Sequence, residues 1–211
     1  EGVAWILVTY LPIPGKVGEM KSKPTQHAVR ILNSAGIQPH FILGRSSQPI
    51  DSVRKEKISI FCNIQPENVI SAPDVENIYE IPINFAKEKL DEKIIEKLQL
   101  NLKENSINDW KKFVKKINNL KKEVKIAIVG KYFETGNFVL SDSYISVIEA
   151  VKHAAYYLNV SPNIFWLDAN DYEKNKRNLS ELNRFGAIIV PGGFGSRGVE
   201  GKINVISFAR K

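Results

Sequence analysis

The sequence predicts an α/β protein made of two parallel-sheet units joined by a basic helix. Three observations lead there. In residues 1–100, short runs rich in β-branched and aromatic residues alternate with stretches whose apolar residues recur at helical spacing. The same alternation starts afresh at Val124 and continues through the rest of the chain. Between the two, residues 101–122 hold 7 basic and 2 acidic side chains, against 12 of each in residues 1–100 and 11 and 9 in residues 123–211. Strands and helices in that rhythm are the pattern of parallel βαβ units.

In the first unit, residues 3–11 read as a strand and residues 12–18, with two prolines and two glycines, as a loop. Pro24 suits the first turn of a helix, where its missing N–H costs nothing. Ala28, Val29, Ile31, Leu32 and Ala35 continue that helix, and Gly36 is a natural stop. Phe41, Ile42 and Leu43 form a second short strand ending at Gly44-Arg45. Residues 51–61 read as a helix, residues 68–70 as a third strand, and Leu90, Ile94, Ile95 and Leu98 as a further helix. In residues 101–122, Trp110, Phe113, Val114, Ile117 and Leu120 share one helical face, with Asn108 as N-cap and Lys111, Lys112, Lys115 and Lys116 opposite.

The second unit opens with a strand over residues 124–129 and a turn at Gly130-Lys131-Tyr132. Asp142 is placed to cap a helix carrying Tyr144, Val147, Ile148, Val151, Ala155 and Leu158. Residues 163–167 form the next strand, and residues 168–184 a polar loop with a short helix. Ala187-Ile188-Ile189-Val190 is a buried parallel strand, feeding a glycine-rich loop and a helix over residues 204–210.

Composition narrows the function classes. At 211 residues, 43% hydrophobic and 25% charged, the chain is an ordinary globular sequence of one large or two small domains. No apolar run approaches the roughly 20 residues that span a membrane. Although the net charge is +7, most of the excess sits in one short segment, residues 101–122, whereas nucleic-acid binding is expected to spread its charge over a folded face. Cys62 is the only cysteine, which excludes an internal disulfide framework and fits a reducing cytosol; within residues 58–62 it reads as a buried, inert thiol. His27, His40 and His153 have no metal-ligand spacing. The start at Glu1, without Met or leader pattern, and the end within a helical pattern read as cuts inside a longer chain.

Two stretches carry chemistry. Residues 191–201 hold five glycines directly after a strand, where bare N–H groups can meet an anion or a carbonyl oxygen. Three readings stand side by side: a dinucleotide loop on Gly193, Gly195 and Gly198; an oxyanion and substrate-carbonyl loop set by Pro191, Gly192 and Gly193; and a tight turn with nothing bound. The dinucleotide pattern normally opens the first βα unit and needs an acidic residue about 20 positions on, beyond Lys211. The second stretch is Lys21, Ser22, Lys23, Pro24, Thr25 and Gln26, which gathers two lysines, a hydroxyl, an amide and a helix N-terminus and so favours a phosphate-bearing ligand. A solvated basic cap is the plain alternative. Arg45 and Pro73, Asp74 and Val75 follow strands, at the sheet edge where ligands bind in such folds.

With both stretches in view, the chain resembles the cytidine triphosphate synthase family. The matching residues are 18–27, 57–63 and 74–79, then 128–132 and 190–201, in order through nearly the whole chain. The resemblance implies the tail of a P-loop-like amidoligase domain (residues 1–100), a linker (101–122) and the start of a class I glutaminase domain (123–211). It implies ATP-dependent phosphorylation of uracil O4 of UTP, then displacement of that phosphate by ammonia from glutamine to give CTP. On matching positions, Lys21 to Gln26 and Lys57 would hold the triphosphate of UTP or inhibitory CTP. Arg45, Pro73, Asp74 and Val75 would border the ATP base. Gly193, with Gly192 and Phe194, would form the glutamine carbonyl and oxyanion site. Pro73, Met20 and Ser22 depart from the family pattern, and residues 133–140 read as an insertion after the first glutaminase strand. The phosphate loop, the carboxylates for Mg²⁺ and the Cys-His-Glu triad fall outside this chain, which should therefore run neither half-reaction alone. The resemblance further implies a cytoplasmic homotetramer promoted by UTP and ATP, and permits filaments. The alternatives are another class I glutamine amidotransferase, or a silent nucleotide-sensing or filament-forming relative.

Overall fold

A computed structural model describes residues 2–15, 18–101, 107–131, 134–135, 138–139 and 144–211. The chain forms two compact units, Glu1–Val114 and Lys115–Lys211.

The first unit holds a parallel sheet in the order β1-β2-β3: β1 (Ile6–Tyr10), β2 (Phe41–Ser46) and β3 (Val69–Pro73). Register runs from Ile6 opposite Phe41 to Ser46 opposite Pro73. Helices α1 (Lys23–Ser34) and α2 (Ser52–Cys62) cover one face, where Leu11, Val29, Ile42, Ile58, Cys62 and Val69 form a core. On the other face, Phe41, Leu43, Ile70 and Leu90 form a second core beneath α3 (Ile81–Lys87) and α4 (Leu90–Leu98). Alternate strand residues face opposite sides, so Phe41 and Leu43 serve one layer and Ile42 the other.

Local signals account for most of the boundaries. Pro24 stands in the first turn of α1, and Gly36 takes φ +78° just past its end. Asp51 caps α2 by accepting from the Arg54 N–H at 2.8 Å, and Asn63 closes it in the left-handed region. Strand β2 does not end at Leu43 as expected. It continues through Ser46, because Gly44 is no turn: a Cβ there would lie 2.5 Å from Leu11 Cδ1 and from Ile50 Cδ1, so glycine makes room for the core. Helix α3 has no counterpart in the sequence reading.

Helix α5 (Asn108–Asn118) is the basic helix. Asn108 is its first helical residue, not its N-cap, since Lys111 N–H already bonds the Ile107 carbonyl at 3.0 Å; Leu120 lies beyond its end. Trp110 Nε1 donates to the Tyr79 carbonyl at 2.8 Å, and the Tyr79, Trp110 and Phe113 rings pack together. Lys111, Lys112, Lys115 and Lys116 are exposed. That is the solvated basic face expected from the sequence.

In the second unit, β4 (Glu123–Gly130) is the central strand of a parallel sheet, flanked by β7 (Ser161–Asp168) on one side and β8 (Ala187–Ile189) on the other. A short antiparallel pair, β5 (Glu134–Thr135) with β6 (Phe138–Val139), falls within the insertion at residues 133–140. Tyr132, Phe133, Leu140 and Asp142 lie outside the described residues. Helix α6 (Ile145–Tyr157) packs Ile148 on Ile128 on one face of the sheet. Strand β7 (Ser161–Asp168) leads into α7 (Ala169–Lys174), which Asp168 caps by accepting from Asn170 N–H at 2.8 Å. A 3-10 segment, Lys176–Arg184, precedes β8 (Ala187–Ile189), and the buried Tyr172 hydroxyl ties to Glu181 at 2.6 Å.

Helix α8 (Val199–Ala209) starts five residues earlier than the apolar pattern suggested. Its first turn is hidden in the glycine string: Gly198 takes φ +69° as N-cap, and Gly201 lies inside the helix. Glycine is required there because α8 meets α7 backbone to backbone. A Cβ on Gly201 would overlap the Ala169 carbonyl oxygen and stand 2.7 Å from its carbon. Val129, Ala169, Tyr172, Leu182 and Val205 form the core of this layer.

Candidate functional site

Three groups of residues singled out from the sequence can now be placed. The first is Arg45 with residues 73–75. Arg45 is exposed near the end of β2, and its Nη2 meets Asp74 Oδ1 at 3.0 Å. The Asp74 N–H bonds the Ser46 carbonyl at 2.9 Å, which holds the turn after β3 against the end of β2. Arg45, Pro73, Asp74 and Val75 all line one cleft of about 520 Å³. Its floor is Val8 and Leu43 of the sheet, and its far wall is Ile78 with Ile81, Asn84 and Phe85 of α3. An apolar slot rimmed by a cation, an amide and a carboxylate suits a flat heterocycle carrying polar edges. Sequence reasoning missed the α3 wall; the available signal was Pro82 in a helix first turn, followed by Phe85 at helical spacing.

The second group surrounds the start of α1. Lys23 and Lys57 are exposed and Lys21 is half-buried. Lys21 Nζ meets Glu19 Oε2 at 2.5 Å. Lys21 first, then Arg54 and Lys57, hold the Glu19 carboxyl below its ordinary range. So three cations share one field, and Arg54 joins a cluster that sequence reading drew without it. Thr25 and Gln26 are turned inward instead: Thr25 is fully buried with its hydroxyl 3.3 Å from that of Thr9, and Gln26 Nε2 donates to Ser22 Oγ at 3.2 Å. Ser22 is the N-cap residue by position, though its side chain makes no capping bond.

The third group is the loop between β8 and α8. Residues 192–197 are exposed, Phe194 at 94%. Gly195 takes φ +79°, a conformation only glycine adopts cheaply. Gly192 differs: it has no positive φ, and a Cβ there would meet nothing within 4 Å. Neither backbone strain nor packing calls for glycine at 192. Two buried lysines sit under the loop. Lys202 Nζ donates to the Pro191 carbonyl at 2.6 Å and more weakly to that of Gly192 at 3.4 Å. Lys131 Nζ donates to the Gly195 carbonyl at 2.6 Å. Sequence reading missed both.

Elsewhere, the Cys62 thiol is buried and pushed up to about 11 by that burial, so it is no nucleophile at neutral pH. His40 Nδ1 accepts from the Trp5 N–H at 2.9 Å, and burial first, then Lys97, lowers its pKa. Among the described residues no group of three or more His, Cys, Asp or Glu is placed to hold a metal ion, and no helix is long and apolar enough to cross a membrane.

Two family descriptions match the chain in tandem: "CTP synthase N-terminus" over residues 1–100, and "Glutamine amidotransferase class-I" over residues 139–211. The chain thus joins a stretch similar to the CTP synthase N-terminus to one similar to class I glutamine amidotransferases; β4 lies ahead of the second match. CTP synthases match the full length. That of Geobacillus kaustophilus is 44% identical over 212 residues, covering 100% of this chain and 39% of the relative. That of Clostridium beijerinckii is 46% identical over 212 residues, covering 100% and 38%. That of Sulfolobus acidocaldarius is 45% identical over 205 residues, covering 97% and 37%. The chain belongs to the CTP synthase family and spans about two fifths of the length of these relatives.

Proposed function

We propose that the protein of which this chain is part converts UTP to CTP with ATP and glutamine. The observation that carries the reading is the unbroken match of the whole chain to CTP synthases, which takes in both the Arg45–Asp74 cleft and the glycine loop. In this reading ATP is the phosphoryl donor to O4 of the uracil ring, and ammonia from glutamine displaces the phosphate. Arg45, Pro73, Asp74 and Val75 border the adenine, whose flat ring fits the apolar cleft while Arg45 and Asp74 meet its polar edge. Lys21, Lys23 and Lys57 draw the triphosphate of UTP or CTP to the start of α1, which adds its dipole. Ser22, Pro24, Thr25 and Gln26 shape that corner; Thr25 and Gln26 act by fixing the loop, given their internal bonds. A triphosphate competes with Glu19 for Lys21. Gly192, Gly193 and Phe194 receive the glutamine carbonyl and the oxyanion formed from it.

Mg²⁺ accompanies ATP on ligands that the resemblance puts outside this chain, so no step here is assigned to it. In this reading residues 1–100 end the amidoligase domain, residues 101–122 are the linker and residues 123–211 begin the glutaminase domain, and the protein is a cytoplasmic homotetramer.

Equilibrium binding tests the assignment of the two nucleotide sites. In the intact protein, Arg45→Ala should weaken ATP about 10-fold or more and leave UTP unchanged, while Lys57→Ala should weaken UTP and CTP and spare ATP. Loss of both nucleotides in either variant, or of neither, contradicts the assignment.

A further inference from the structure

We propose that Lys202 and Lys131 are positioning residues that aim the glycine loop's N–H groups at the substrate. The inference rests on the glutamine reading above. Lys202 holds the Pro191 carbonyl, with a weaker hold on that of Gly192, and Lys131 holds that of Gly195. Both ammonium groups lie on the inner side of the loop, with only 9% and 6% of the residue exposed. All peptide bonds among the described residues are trans. In a planar trans peptide the C=O and the following N–H point in opposite directions. Drawing the carbonyls of Pro191, Gly192 and Gly195 inward therefore turns the N–H groups of Gly192, Gly193 and Ser196 outward, to the exposed side. The loop becomes a rigid row of donors without any side chain of its own.

The cost of this arrangement argues that it has a use. Neither lysine forms an ion pair among the described residues. Burying unpaired ammonium groups is unfavourable. Burial first and the charge of Lys131 second lower the pKa of Lys202. A loop that only had to connect β8 to α8 would need neither group. A loop that must hold its donors in one orientation while an oxyanion forms gains from both, because preset donors need no reorganisation in the transition state. Two cations behind the loop also add a positive field on the side from which the N–H groups point.

The test is made on the intact protein, with CTP formation measured separately with glutamine and with ammonia. Lys202→Met keeps the length and apolar stem but holds no carbonyl. It should lower glutamine-dependent kcat about 10- to 100-fold, as expected for misplaced donors. It should leave kcat and KM for ammonia unchanged, which a general loss of fold would not. Lys202→Gln retains one donor and should recover part of the glutamine activity; it also decides the matter if Lys202→Met does not fold. Lys131→Met should act in the same direction. Wild-type glutamine kinetics in Lys202→Met, or equal losses with glutamine and ammonia, overturn the assignment. If the unsubstituted protein makes no CTP from either source, the underlying reading fails and the assignment goes with it. A protein active with both sources whose Lys202 variants are unaffected loses only the assignment.

Discussion

Gly201→Ala separates a packing account of the glycine string from a propensity account. Gly201 sits in the first turns of α8, where alanine would ordinarily be the better residue by about 1 kcal/mol. The structure predicts the opposite sign. An added methyl would overlap the Ala169 carbonyl oxygen, stand 2.7 Å from the Ala169 carbon and 3.1 Å from the Glu173 nitrogen. All three are backbone atoms, so no rotamer change relieves them. Bringing the carbon contact to the usual ~3.5–4.0 Å requires α7 and α8 to separate by about 1 Å, and clearing the closer carbonyl oxygen requires more. Overpacking of that kind costs about 1–3 kcal/mol, and the backbone contact puts this site at the upper end. Net of helix propensity, about 2 kcal/mol of stability should be lost. Urea unfolding followed by circular dichroism measures it, read from the midpoint at unchanged slope. Because Lys202 is the next residue, the same shift should disturb the loop and reduce glutamine-dependent turnover. A variant as stable as the parent, or more so, would refute the close approach of α7 and α8.

Three further outcomes follow from the same structure. Gly44→Ala should also destabilise, by about 1–2 kcal/mol in urea unfolding and less than Gly201→Ala, since the Leu11 and Ile50 side-chain ends it meets can shift. Asp51→Ala removes the α2 cap and should cost about 1 kcal/mol. The Asp51 pKa is depressed, by the Arg54 N–H first, so this contribution is present above the ordinary carboxylate pKa and is lost as pH falls through the folded value; an acid titration of stability should show a shallower slope in the variant. The Cys62 thiol is raised from 9.0 to about 11, so its contribution is whole below pH 9 and is lost as pH rises towards about 11. Comparison with Cys62→Ala should reveal an extra loss of about 2–3 kcal/mol in the parent across that window; parallel pH curves would show that the thiol is not buried.

Much of the fold is legible in sequence because its punctuation is local. Pro24 and Gly36 each act within a few residues, and the structure uses both as the pattern implied, whereas Asp51, read as part of the helix, stands before it as its cap. The failures occur where glycine means something other than a turn. Gly44 looks like a strand end yet lies inside β2, excused from a side chain by Leu11 and Ile50, both distant or displaced in sequence. The glycine string looks like one continuous loop, yet its last third is helix, because α7 must come close at Gly201. The candidate sites divide in the same way. Arg45 and Asp74 were legible as strand exits, whereas the α3 wall of their cleft was not, since a seven-residue helix gives too short a period to stand out. Lys131 lies 64 residues from the Gly195 carbonyl it holds. A lysine in sequence reads as solvated, and only the fold reveals one that is buried.

The central claim is that one protein joins UTP amination to glutamine hydrolysis. It is tested most directly by CTP formation from UTP by the intact protein, with glutamine or ammonia as nitrogen source, each with and without ATP. The account predicts CTP from either source, and only when ATP is present. CTP from ammonia alone would deprive the glycine loop of its role, and no CTP from either source would contradict the account outright.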